Sequence, residues 1–294
     1  MDGFSRISVG SLTEAPGPVC YDPWMERRAV YRHSIVTRIT HWAGALAFVI
    51  LVLSGLQIFN AAPQLDASDK SDPSRRVLAI GAREDAAGKA EGVTKILGRE
   101  FTTTHLLGYT SDGMGGEAVR AFPGWITLPG YQSLADGRRW HLFFAWVMTL
   151  AGSAYLIGGF ARKDLALIVL RPADLPKLLP MQLYYLRLRP EPPPHGKYNP
   201  LQKLAYTLVL FVFAPAIVLS GLALSPGLDA QFGPLVAVFG GRQFARLWHF
   251  VLTFALVGFF GVHLVLVAST GFLNNMRSMI GGWYRPGPHE ETGA

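Results

Sequence analysis

Cysteine is almost absent: Cys20 is the only one in 294 residues. That excludes an internal disulfide, a cysteine-ligated iron–sulfur cluster and a C-x-x-C-H covalent haem attachment. Charge is sparse as well. Asp, Glu, Lys and Arg make up 16% of the chain, against about 25% in soluble domains. No H-E-x-x-H segment is present. Four stretches lack any charged residue: Ile39–Leu65, Trp140–Ala161, Leu204–Leu228 and Leu247–Met276. Each exceeds the roughly 20 residues that a spanning helix needs. The N-terminal region has Pro16, Pro18 and Pro23 but no apolar run ahead of Arg27, Arg28 and Arg32. It therefore does not read as a cleavable signal peptide, and the first span reads as an uncleaved anchor.

What is present is an all-α membrane protein pattern: four transmembrane helices forming a bundle, with a long external loop between helices 1 and 2. The expected organisation is a cytoplasmic tail over 1–33, a membrane domain over 34–280, and a cytoplasmic tail over 281–294. Spans are expected at about 37–60, 139–161, 201–225 and 245–272, with the external loop at 61–138. The net charge of +7 sits mostly beside the spans, which speaks for a bilayer and against nucleic acid as the partner. Arg27, Arg28, Arg32 and Arg38 precede span one. Arg162, Lys163, Arg171, Lys177, Arg187, Arg189 and Lys197 lie between spans two and three, and Arg277 and Arg285 follow span four. The positive-inside rule then places both termini on the cytoplasmic side of the membrane.

The external loop is too long for a plain connection. Val77, Leu78 and Ile80, then Val93, Ile96, Leu97 and Phe101, flank a Gly/Ala/charged middle that suits a hairpin or short helices. Phe122–Tyr131 is apolar and broken by prolines, as expected at the membrane interface, and the whole loop reads as a docking surface. Pro215 predicts a kink in span three. Leu53-Ser54-Gly55-Leu56 in span one returns as Leu219-Ser220-Gly221-Leu222 in span three. Arg139-Trp140-His141 returns as Arg246-Leu247-Trp248-His249. Duplication of a helix pair and similar membrane composition both account for this repeat.

Four histidines sort by depth. His41 opens span one, so it lies near the cytoplasmic surface. His141 and His249 open spans two and four, so they lie near the outer surface. His263 follows His249 by fourteen residues, about 21 Å of helix at ~1.5 Å per residue and about 40° away in azimuth, which returns it to the inner level on the same face. Two pairs result: His41 with His263, and His141 with His249. Ionisable groups inside a span are functional candidates by default. Haem iron takes two axial ligands in an apolar bundle, whereas zinc gathers three or four around one centre. The expected cofactors are therefore two non-covalent b haems. Copper or a proton relay explains the pairing less well, and a histidine beside Trp42, Trp140 or Trp248 also suits an interfacial belt. His33, His105, His195 and His289 are expected to be solvated or outside the ligand set, with His33 and His195 as minor candidates for proton delivery. Arg38, Arg139 and Arg246, each near a histidine, are candidates to hold haem propionates, and anchoring at the interface is their other reading. No catalytic residue is expected.

Arg38–Trp42, Arg138–His141, Asn199–Tyr206 and the His249/His263 pair resemble the four-helix cytochrome b subunits of thiosulfate reductase, nickel–iron hydrogenase and formate dehydrogenase. Phe122–Tyr131 is similar to an outer-loop segment of the thiosulfate-reductase type. The resemblance covers roughly residues 30–280. It implies two b haems, a quinone site near the cytoplasmic haem and a periplasmic oxidoreductase partner containing molybdopterin. It also implies that Lys197–Lys203 faces the quinone, with Asn199 bonding a quinone carbonyl. Asn before Pro is equally a standard helix opening. The expected function is transfer of electrons between the quinone pool and that partner. The alternatives are a self-contained quinone-linked haem oxidoreductase acting on a small diffusible species, and a cofactor-free anchor or transporter.

Overall fold

The computed structural model describes residues 29–163, 165–196, 198–225, 227 and 233–285. Residues 1–28 with Cys20, Lys197 of the segment expected to face a quinone, Leu228, and 286–294 with His289 lie outside the described residues.

Among the described residues, four helices are long and apolar enough to cross a membrane: α1 (Ile35–Phe59), α2 (Leu134–Ala161), α3 (Pro200–Leu224) and α4 (Arg242–Ser269). A shorter helix, α5 (Phe272–Gly281), follows α4. Side-chain caps start three of the spans. Ser34 accepts from the Thr37 amide, Ser133 from the Asp136 amide, and Asn199 from the Gln202 amide. Each satisfies one of the amides left free at a helix start. The charge-free stretch Leu247–Met276 is not one helix. Gly271, with φ 100°, ends α4 and opens α5, a conformation that glycine adopts without strain. In α3 a π-helical turn, Val209–Phe213, runs directly into Pro215. Proline cannot donate to the carbonyl four residues back, and the wider turn accommodates the missing bond.

The expectation of an all-α chain needs one correction. The fold is mostly helical, but the connection from α1 to α2 carries antiparallel sheet. Strands β2 (Gln64–Asp66), β3 (Arg76–Glu84), β4 (Ala90–Ile96) and β5 (Arg99–Thr102) form a four-stranded sheet in sequence order, and β6 (Gly108–Ser111) pairs with β7 (Glu117–Arg120). Strands β3 and β4 make a hairpin, Leu78 opposite Ile96 and Glu84 opposite Ala90. Asp85 holds its turn by accepting from the amides of Ala87 and Lys89. A small two-stranded pairing, β1 (Val30–Tyr31) with β8 (Trp283–Tyr284), ties the start of α1 to the end of α5.

The sheet domain is seated on the helix ends. Phe59 of α1 packs with Leu65, Ile80, Ala121 and Phe122, and Leu247 and Phe250 of α4 close the cluster. A Cβ on Gly241 would lie 2.6 Å from the Cα of Asp69, so the residue ahead of α4 touches the sheet domain's backbone. Arg120 locks the arrangement. It is 2% exposed and donates to the carbonyls of Phe122, Asp112 and Gly130, to Gln57 Oε1 and to Thr127 Oγ1, at 2.8–3.1 Å. Gln57 belongs to α1, so this cation joins the membrane helix to the Phe122–Tyr131 segment. Asn60 adds to the joint, accepting from the Phe122 amide at 2.7 Å.

Asp66, 1% exposed, accepts from Arg76 Nε at 2.9 Å and the Asp72 amide at 3.0 Å. The Arg76 hydrogen bond, first among the causes, holds its carboxyl below the usual aspartate value. A depressed folded pKa gives stability that is present above the unfolded value of about 3.9 and is lost as pH falls through the folded value. Acid titration of the detergent-solubilised chain, followed by near-UV circular dichroism, should show tertiary signal decaying below about pH 4, and Asp66→Asn should flatten that decay. An unchanged profile in the variant would place the acid-sensitive group elsewhere.

Candidate functional site: two histidine pairs on one helix

The long helices fall into two closely packed pairs, α1 with α2 and α3 with α4. Small residues permit the first: a Cβ on Gly137 would lie 2.9 Å from Gln57 Cγ. The histidines meet between the pairs. His41 of α1 faces His263 of α4 with ring centroids 6.2 Å apart and planes at 57°. His141 of α2 faces His249 of α4 with centroids 6.1 Å apart and planes at 64°. The second pair lies at the helix ends carrying the sheet domain, and is called the sheet-side pair below. The first lies toward the chain termini, beside α5, and is called the terminus-side pair.

The separations carry chemical information. Two imidazoles bound to one metal, each with an N–metal bond of about 2.0–2.1 Å and its ring centre about 1.1 Å behind that nitrogen, have centroids about 6.3 Å apart. Both pairs match this within a few tenths of an ångström. Two rings in tilted or edge-on contact would also stand at such distances, but they would not need to recur at two levels of one helix. Among the described residues no three His, Cys, Asp or Glu side chains converge on a metal-sized site. The donors come in twos, as a flat cofactor with two axial positions requires.

The sheet-side rings are held from behind. Ser54 Oγ lies 3.2 Å from His141 Nδ1, and the Leu51 carbonyl is also at 3.2 Å. Ser220 Oγ lies 3.0 Å from His249 Nδ1. Glycine follows each serine, and its missing side chain leaves room for the ring. A Cβ on Gly55 would stand 3.4 Å from His141 Cε1, and one on Gly221 would stand 3.3 Å from His249 Cε1. These four residues are absent from the sequence-derived site, although the repeated Leu-Ser-Gly-Leu pointed at them. On the terminus side, His41 Nδ1 is buried with no hydrogen-bond partner among the described residues.

The remaining candidates are placed as follows. Arg38 donates to the Ile280 carbonyl of α5, while its Nε is buried with no hydrogen-bond partner among the described residues. Arg246 donates to the Ala62 carbonyl and stacks over Phe59. Arg139 is largely exposed and pairs with Asp136 at 3.2 Å. Asn199 forms a reciprocal capping box: its Oδ1 accepts from the Gln202 amide at 2.9 Å, and its own amide donates to Gln202 Oε1 at 3.1 Å. Its Nδ2 donates to Tyr185 Oη at 3.1 Å. Among the described residues, that leaves the Asn199 side chain one N–H without an acceptor.

Comparison with known proteins agrees with this architecture. A protein named as a methionine-sulfoxide reductase subunit, YedZ1, from Azospira oryzae is 29% identical over 242 residues, covering 79% of this chain and 87% of the relative. Nickel–iron hydrogenase B-type cytochrome subunits, so named, from Azotobacter chroococcum and Azotobacter vinelandii are each 28% identical over 196 residues, 62% of this chain and 78% of theirs. The family profile of prokaryotic cytochrome b561 matches residues 32–282, which take in all four spans and all four paired histidines. The chain belongs to the prokaryotic cytochrome b561 family and is a multi-pass membrane protein that binds b-type haem.

Proposed function

We propose that the chain is a dihaem subunit that carries electrons between the quinone pool and a periplasmic oxidoreductase. The observation that supports it most is the recurrence of one ligand-spaced histidine pair at two levels of α4. In this reading His141 and His249 hold the sheet-side haem, and His41 and His263 hold the terminus-side haem. The bound haems supply one-electron redox chemistry. The protein supplies four imidazoles on three apolar helices and a fixed separation of about 21 Å along the α4 axis, from fourteen residues at ~1.5 Å each.

Orientation follows from the basic residues. Both termini and the terminus-side pair lie in the cytoplasmic half of the inner membrane, and the sheet domain faces the periplasm. Arg38, Arg139 and Arg246 are assigned to propionates. Arg38 fits best, because its buried Nε lacks an acceptor. A groove of about 590 Å³ between α1 and α5, lined by Ile35, Arg38, Ile39, Trp42 and Ile280, opens beside the residue following His41. An isoprenoid quinone suits those apolar walls, and Asn199 offers a second polar contact on the same side of the membrane. The relatives named above belong to a sulfoxide reductase and a hydrogenase. An oxidoreductase partner for this chain follows by analogy, with molybdopterin as the cofactor that the thiosulfate-reductase resemblance favours.

Anaerobic addition of a short-chain quinol to haem-loaded membranes should produce the reduced b-type absorption bands. Substituting Trp for Ile39 in the groove should slow that reduction about tenfold or more while dithionite still reduces the haem. Equal rates in both proteins would remove the groove from the proposal.

A further inference from the structure

The two serines behind the sheet-side pair do more than fill space. Ser54 and Ser220 are both fully buried. Each turns its hydroxyl onto its own helix: Ser54 Oγ donates to the Ile50 carbonyl at 2.6 Å, and Ser220 Oγ donates to the Ile217 carbonyl at 3.0 Å. A serine hydroxyl has one hydrogen and two lone pairs. With the hydrogen committed to a carbonyl, what remains toward the histidine is an acceptor. The Leu51 carbonyl beside His141 is likewise an acceptor only. Each neighbouring Nδ1 can then donate its proton to that oxygen. A neutral imidazole protonated at Nδ1 keeps its Nε2 lone pair, which is the form an axial ligand needs.

We propose that Ser54 and Ser220 are positioning residues that fix the tautomer, rotation and donor strength of His141 and His249. This rests on the reading of those histidines as axial ligands. The Nδ1–H···O contact raises the electron donation of the imidazole and restrains its ring. The two hydroxyls act symmetrically, one from each helix hairpin, and this gives the Leu-Ser-Gly-Leu repeat a physical reason. The glycine after each serine lets the ring close to van der Waals contact. The terminus-side pair is not presented in this way, since His41 Nδ1 has no acceptor among the described residues. The effect is therefore confined to one of the two sites.

The test uses the full-length, haem-loaded chain in detergent. Ser54→Ala and Ser220→Ala are compared with wild type by redox titration and by haem transfer to excess apomyoglobin. The sheet-side signal is assigned from His263→Ala, which retains only that site. Each serine variant should raise the sheet-side midpoint potential and speed haem loss from that site about ten- to a hundredfold. The terminus-side signal should stay in place. Ser54→Thr and Ser220→Thr, whose hydroxyl also bonds the carbonyl one turn back, should restore both values. Potentials and transfer rates unmoved in both Ala variants would overturn the proposal. So would equal shifts at both sites, or Thr variants that behave like Ala. If His249→Ala leaves both haems in place, the ligand reading itself fails. If it removes one haem while the serine variants change nothing, only the positioning role fails.

Discussion

Replacing His263 by Ala should halve the haem content of the purified chain, from two per polypeptide to one, and His249→Ala should do the same by emptying the other site. Each substitution leaves one axial nitrogen where the pair geometry supplies two, at 6.2 Å for His41/His263 and 6.1 Å for His141/His249. One imidazole in an apolar slot holds haem far more weakly than two, so depletion at the altered site should be near complete after purification. The double variant should carry none. Because both residues lie on α4 and face different partner helices, the losses should be independent: the remaining site keeps its reduced-minus-oxidised band and its potential. Pyridine haemochrome assay against total amino acid content measures the ratio. Loss of both haems from either single variant would mean that the two pairs form one cooperative site, contrary to their separation along the helix.

Arg120→Met should loosen the sheet domain from the bundle. The guanidinium is 2% exposed and satisfies five acceptors that otherwise have little access to water. Burial lowers its pKa below the ordinary guanidinium value, while the charge of Asp112 works in the opposite direction. The cost of its desolvation is met by that full set of hydrogen bonds. Methionine fills comparable volume and donates nothing: Asn60 Nδ2 still reaches the Phe122 carbonyl and Gln57 Oε1, but the part-buried carbonyls of Asp112 and Gly130 lose their charged donor, at about 1–3 kcal/mol each. The net loss should exceed about 3 kcal/mol even after local relaxation. Limited trypsin digestion should then cut within residues 61–133 at least tenfold faster, while far-UV helical signal persists, because the spans depend on the bilayer rather than on this joint. Digestion at the wild-type rate would show that the Phe59, Leu65 and Ile80 cluster alone holds the domain.

Much of this was legible in the sequence because the bilayer imposes a coarse rule. A spanning helix needs about 20 apolar residues, and few other structures produce four such runs. The meeting of His41 with His263 and of His141 with His249 is likewise visible from alternation of direction and rise per residue. The sheet was legible only as one of two options, a hairpin or short helices: Val77, Leu78 and Ile80 form a short apolar run that serves a strand or a helix equally well, and only pairing with β4 decides for the hairpin. Arg120 carries no signal in the sequence, since its acceptors are mostly backbone carbonyls that composition does not reveal. Ser54 and Ser220 stood in a repeat, yet a small polar residue next to glycine is common in membrane helices. Their meaning depends on which ring lies across the interface, and that is a tertiary fact.

The central claim is that α4 carries a ligand for each of two haems. Haem stoichiometry of the wild-type chain, combined with potentiometric titration of its b-type absorption, tests it most directly. The account predicts two haems per polypeptide, titrating as two one-electron components, each abolished separately by His263→Ala or His249→Ala. A single haem per chain in fully loaded protein, unaffected by one of those substitutions, would contradict it.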